Sequence, residues 1–119
     1  MFDDASPIFQ QLADSLSDEV LRGVYAEGDQ VPSINELAAF HRINPATANR
    51  AVALLVDQGV LVKRRGVGMF VADGARDLIR TARRTAFTER FVAPLLAEAR
   101  TLVIPPDTLV DLLRKEATP

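Results

Sequence analysis

The stretch SINELAAFHRINPATANRAVALLVDQGVLVKRRGVGMFVADG, residues 33–74, decides the fold. Ser33 followed three residues later by Glu36 is a capping box and starts a helix. That helix is short, with Leu37, Ala38 and Phe40 expected to face inward before a turn at His41-Arg42-Ile43. Asn44-Pro45 repeats the start signal, a cap followed by a proline pre-set for the first helical position. The helix it opens runs through Ala48, Ala51, Val52, Leu55 and Val56 and is ended by Gly59. Val60-Leu61-Val62-Lys63-Arg64 then reads as a strand, Arg65-Gly66-Val67-Gly68 as a tight turn, and Met69-Phe70-Val71-Ala72 as the returning strand. Asp73-Gly74 closes the hairpin.

Working outward, Ser6-Pro7 predicts a helix start with Ser6 as cap. An apolar stripe of Ile8, Leu12, Leu16 and Val20 follows, with Phe9 and Leu21 beside it and Gly23 as stop. Residues 24–32 form a loop around Gly28-Asp29 and Pro32, with room for a short strand. From Ala75 to about Val103 a long helical pattern carries Phe87, Phe91, Leu95, Ala99 and Leu102 at steps of three and four. Pro94 inside it is expected to kink or break the helix, since it lacks a backbone donor. Pro105-Pro106-Asp107 is a second break, and Thr108–Ala117 gives a last amphipathic helix through Leu109, Leu112 and Leu113. The fold class expected is mainly α with a small β-hairpin. A winged helix-turn-helix occupies residues 1–73, and a helical segment for dimerisation occupies 74–119.

A helix of about 28 residues extends about 42 Å, too long to be buried on one small winged domain. Its stripe is therefore expected to pack against a second copy through Phe87, Phe91, Leu95 and Leu102, with Leu109 and Leu112 of the final helix closing over it. The alternative is an intramolecular hairpin of the two helices, which the short final helix is poorly sized to complete.

Composition narrows the function classes. The 119 residues are 48% hydrophobic and 25% charged, as in a globular chain. No apolar run is long enough to span a bilayer and no signal peptide is visible, so a cytoplasmic location without membrane attachment is expected. There is no cysteine and one histidine, His41, so neither disulfides nor a thiolate or histidine-cluster metal site is expected. No cofactor is expected either. The net charge of −2 argues mildly against nucleic acid, but its distribution does not. Residues 1–59 carry three basic side chains against nine acidic, whereas residues 60–100 carry nine basic against four. A local stripe matters more than the total because salt screens charges beyond about 8–10 Å. Arg90 and Arg100 at its end read as a solvated face.

Helix, short helix, turn, helix and basic hairpin are the sequence image of a winged helix. The second helix of the pair offers its N-terminal residues to a major groove about 12 Å wide. The candidate recognition surface is Pro45 to Arg50, with Ala46, Asn49 and Arg50 outward and Ala48, Ala51 and Val52 inward; Ser33, Asn35 and Asn44 are further candidate DNA-binding residues. Thr47 suits a phosphate or thymine methyl, Asn49 an adenine edge and Arg50 a guanine edge. Composition alone allows the same residues to be an ordinary solvated face; the hairpin shifts the reading. Lys63-Arg64-Arg65 runs into Gly66-Val67-Gly68, cations beside glycines that let the backbone approach a phosphate or the minor groove. The same glycines also serve a hairpin turn that needs positive φ, and both roles can hold together.

The residues from Ile8 to Val71 resemble the DNA-binding domain of the GntR family of bacterial regulators. The matching residues are Pro7 to Leu12, Gly28 to Ser33, Glu36-Leu37-Ala38, Asn44 to Thr47, Ala51, Leu55, Gly59-Val60-Leu61 and Gly66 to Val71. The opening and the short tail look like the YtrA subfamily, whose members dimerise through about two helices after the winged domain. The resemblance implies that Ser33 and Thr47 contact phosphates or bases, Arg50 the backbone or a base, and Arg65-Gly66 the wing contact, beside Arg64. Two departures stand out. The family usually has arginine where this chain has Asn35, and some members have it at Asn49, which implies a less guanine-centred operator.

The function expected is that of a dimeric repressor on an inverted-repeat DNA operator, its own operon's included. An enzyme fails on chemistry: there is no cysteine nucleophile, no placeable Ser-His pair and no phosphate-binding glycine loop. A winged-helix protein-docking module is the better alternative, and the cationic wing speaks against it. A small-molecule effector stays open, since about 45 residues leave little room for a pocket of a few hundred Å³ except between subunits.

Overall fold

The computed structural model describes residues 6–119. Contacts group the chain into two compact units, one ending at Thr81 and the other starting at Ala82.

In the first unit, helix α1 spans Ile8–Leu21, α2 Ile34–His41 and α3 Pro45–Asp57. Strands β1 (Leu61–Arg64) and β2 (Gly68–Val71) follow, and α4 (Ala75–Phe87) begins in this unit. Leu12, Ala13, Leu16 and Val20 of α1 share one core with Leu37 and Ala38 of α2. Ala48, Ala51, Val52 and Leu55 of α3 complete its centre, and Val60, Leu61, Met69, Val71, Ala75 and Ile79 extend it. No charged or polar side chain is buried among the described residues, so apolar area alone closes this core.

Local chemistry explains where the elements begin. Ser33 Oγ accepts from the Glu36 N–H at 3.1 Å, and the Glu36 carboxylate accepts from the Ser33 N–H at 3.0 Å: the predicted capping box. Asn44 Oδ1 accepts from the Ala46 N–H at 2.8 Å, with Pro45 opening α3. Arg42 takes a left-handed conformation, φ 55°, to turn the chain between α2 and α3. Gly59, φ 80°, stands just past the end of α3.

The hairpin pairs Leu61 with Val71, Val62 with Phe70, Lys63 with Met69 and Arg64 with Gly68. Gln30 bridges Phe70, and residues 28–31 exchange backbone hydrogen bonds of 2.9 Å with Met69 and Val71. The loop at residues 24–32 thus forms no strand of its own, only an isolated bridge at Gln30, where the sequence left room for a short strand.

Three details differ from expectation. Pro7 rather than Ser6 stands at the N-cap of α1, without a side-chain cap; its carbonyl accepts from the Gln10 and Gln11 N–H groups. Phe40 is 79% exposed. The buried face of α2 centres between Leu37 and Ala38, and Phe40 falls about 110° from that centre at 100° per residue. Ile8, the first of the expected stripe, is 43% exposed, because it lies at the open end of α1.

The second unit holds a π-helical turn at Thr88–Val92, α5 (Ala93–Thr101) and α6 (Pro106–Ala117). Pro94 does not interrupt the helical conformation. The Ala93 N–H reaches back five residues to the Thr88 carbonyl, and this wider turn absorbs the donor and the space that proline denies. Pro105 is the N-cap of α6 and Pro106 its first residue, so the second break is confined to residues 102–105. Only Ala99 and Leu109 are buried in this unit.

Candidate nucleic-acid interface

Helix α3 packs on α1, α2 and β1, which leaves one side of its N-terminal half outward. Ala48, Ala51 and Val52 are buried; Ala46, Asn49 and Arg50 are exposed and Thr47 half-exposed. The sequence placed these residues on those faces, and the 3.6-residue period explains why. Ser33 and Asn35 are exposed at the start of α2. There the Ser33 oxygen already serves the capping box, which leaves its O–H proton to donate to a phosphate. Asn44 likewise spends its side-chain oxygen on the α3 cap, so its structural role accounts for its place in the motif.

The capping box has a measurable signature. The Ser33 backbone N–H, and then its hydroxyl, hold the Glu36 carboxyl below the usual glutamate range. A depressed folded-state value means a stabilising contribution present above the ordinary glutamate range and lost as pH falls through the folded value. Ser33→Ala is therefore expected to cost about 1 kcal/mol in urea denaturation at neutral pH. The Ser33 backbone N–H, the larger cause, stays in that variant. Only the hydroxyl's share of the acid-side fall in stability, the part lost as pH drops through the depressed Glu36 value, should vanish with it. An unchanged acid limb would show that the box does not persist in solution.

The wing is braced from the loop before α2. Gln30 Nε2 donates to the Val67 carbonyl at 3.0 Å, and a Cβ at Gly68 would lie 2.4 Å from that nitrogen. Gly66, φ 76°, sits third in the turn closed by the Val67 N–H to the Arg64 carbonyl, 2.9 Å. Positive φ there is the conformational need the sequence suggested, and nothing lies within 4 Å of where its Cβ would be. Lys63, Arg64 and Arg65 are all exposed around this open tip.

Two rings complete the surface. The Arg50 guanidinium lies 3.9 Å from the centre of the Phe9 ring, and that of Arg64 lies 4.4 Å from the centre of Phe70. Sequence reading took Phe9 only for an apolar neighbour of the α1 stripe and gave Phe70 and Gln30 no role at the surface. His41 is the last residue of α2, half-buried, with its ring edge-on to Phe40 at 4.9 Å. No helix among the described residues is long and apolar enough to cross a membrane, and no group of metal-ligating side chains occurs among them.

Residues 8–71, more than half of the chain, match the family model of bacterial regulatory proteins, gntR family. The chain belongs to the GntR family. The matched span runs from the first residue of α1 to the last of β2, so the winged helix-turn-helix is the part of the molecule that carries the family character. Over 86 residues the chain is 28% identical to the HTH-type transcriptional repressor YtrA of Bacillus subtilis, covering 72% of this chain and 66% of that protein. A GntR family transcriptional regulator from Listeria monocytogenes has the same architecture: TM-score 0.79 and 28% identity, over 96% of this chain and 98% of that one. The DNA-binding domain of AraR, solved in complex with operator ORR3, aligns with a TM-score of 0.56 and 28% identity. That alignment covers 60% of this chain and 87% of the AraR chain.

Proposed function

We propose that this chain is a cytoplasmic transcription regulator that reads duplex DNA as a homodimer. It represses from an inverted-repeat operator, its own operon's included. The observation that carries this reading is the outward face of α3, Ala46, Thr47, Asn49 and Arg50, beside a braced wing bearing Lys63, Arg64 and Arg65. The helix would enter the major groove, with Asn49 suited to adenine and Arg50 to guanine or phosphate. The wing would carry Arg65 and Gly66 to the adjacent phosphates or minor groove. Ser33, Asn35 and Asn44 would add phosphate or base contacts from the two helix starts.

The dimer is proposed through residues 82–119. Phe87, Phe91, Leu95, Leu102 and Leu112 are between 39% and 59% exposed there, an apolar surface that water disfavours. Leu109 is 9% exposed and belongs to the packing of its own unit, so its part in the interface would be support from behind. Two copies related by a twofold axis would present two α3 helices to half-sites about one DNA turn apart. An effector, if one acts, would sit between the subunits.

The test is selection of duplexes from a random pool with the purified protein, then titration of the enriched duplex and an unrelated one at two salt concentrations. Selective binding to an inverted repeat that weakens with salt is expected. Arg50→Ala and Arg65→Ala should each weaken it about 5- to 150-fold while folding stays intact. No enrichment, or unchanged binding by both variants, would refute the proposed reading of this surface.

A further inference from the structure

Both aromatic-stacked arginines of the proposed DNA surface are held by phenylalanine rather than by a carboxylate. Phe9 lies one turn before Leu12 and Ala13 on α1, at the edge of the buried stripe, half-buried against the core. From there its ring meets Arg50 on α3, 3.9 Å from ring centre to guanidinium carbon. On the wing, the position directly opposite Arg64 is Gly68, which has no side chain, and Arg64 leans over the diagonal neighbour Phe70 instead. Arginine–aspartate pairs do occur elsewhere, Arg22 with Asp18 and Arg80 with Asp77.

The difference matters for binding. A carboxylate partner would neutralise the guanidinium and occupy its donors, and both effects would have to be undone on DNA. A ring face attracts the cation but accepts none of its five N–H donors in the plane of the group. Phenylalanine carries no polar atom, so it adds no hydrogen bond or charge of its own at the DNA, and a double-variant cycle separates an effect through the arginine from a direct apolar contact.

We propose that Phe9 is a positioning residue for DNA reading. Its ring holds Arg50 on the outward face of α3 in the orientation that meets the operator, and Phe70 does the same for Arg64. The proposal rests on the reading of Arg50 as a DNA contact. The ordering of a long side chain is completed in the folded protein instead of on the duplex, which strengthens binding without adding a contact.

The experiment uses the full chain and the duplex enriched by selection, with Phe9→Leu, Phe9→Tyr, Arg50→Ala and the double variant Phe9→Leu/Arg50→Ala. Phe9→Leu is expected to weaken binding about three- to tenfold, the worth of ordering one long side chain. Phe9→Tyr, which keeps the ring, should restore it to within about twofold. The double variant should bind no more weakly than Arg50→Ala alone, because the ring acts only through that arginine. Unaltered or tighter binding by Phe9→Leu, or additive losses in the double variant, would overturn the proposal while leaving Arg50 as a contact. Unaltered binding by Arg50→Ala would remove both readings. Thermal midpoints of all four variants separate these outcomes from misfolding. If Phe9→Leu does not fold, Phe70→Leu with Arg64→Ala forms the same cycle on the wing, and failure of that coupling overturns the proposal.

Discussion

Leu12→Ala should lower the unfolding free energy by about 3–5 kcal/mol, a large share of the 5–15 kcal/mol of a typical domain. Leu12 is fully buried on α1, the helix against which α3 packs, and the core around it is entirely apolar. Truncation removes buried methyl groups and leaves a cavity that three packed helices cannot close. With a urea slope of about 1–3 kcal/mol per molar, the denaturation midpoint should fall by more than about 1 M. Leu12→Met, which conserves volume, should cost less than about 1.5 kcal/mol. A loss below 1 kcal/mol for the alanine variant would show that α1 does not brace the α3 face. Residual binding by that variant, measured well below its melting temperature, should match the unaltered chain, since Leu12 lies on no exposed surface.

Phe91→Asp should convert the proposed dimer to monomers, seen as a halved mass in sedimentation. Operator affinity should fall on the order of a hundredfold or more, because the second half-site contact ceases to be intramolecular. Phe91 is 54% exposed and stands 5.7 Å from Phe87, ring centre to ring centre, on the same side of the helical segment. A carboxylate there would have to be desolvated in any interface built on those rings. The winged unit ends at Thr81, so its circular dichroism and its weak nonspecific DNA affinity should persist. A dimer that survives this change would refute the proposed interface and would require another surface to bring two α3 helices together.

Much of the winged unit was legible in the sequence because its signals are local. A serine and a glutamate three apart, an asparagine before a proline, and glycines flanked by β-branched and basic residues each dictate the nearby backbone through their own hydrogen bonds or allowed φ. Those signals placed α2, α3 and the hairpin within a residue or two. The helical period then decided that Asn49 and Arg50 face out and Ala48 and Val52 face in. The family resemblance, drawn from an ordered set of such residues, was matched over residues 8–71.

What the sequence determined by itself, then, was the order of elements, their starts and the outward face of α3, all set by interactions within a few residues. Only the tertiary structure decided what depends on partners far along the chain. It put Phe40 in solvent, because the orientation of a two-turn helix is set by the surface it packs on and not by its own short pattern. It resolved Pro94 by a π-helical turn instead of a break, a choice that rests on a backbone bond from Ala93 to Thr88. It drew Leu109 into its own unit. And it seated Arg50 on Phe9, two residues whose meeting requires α1 to lie against α3, a contact that no local hydrogen bond or periodicity encodes.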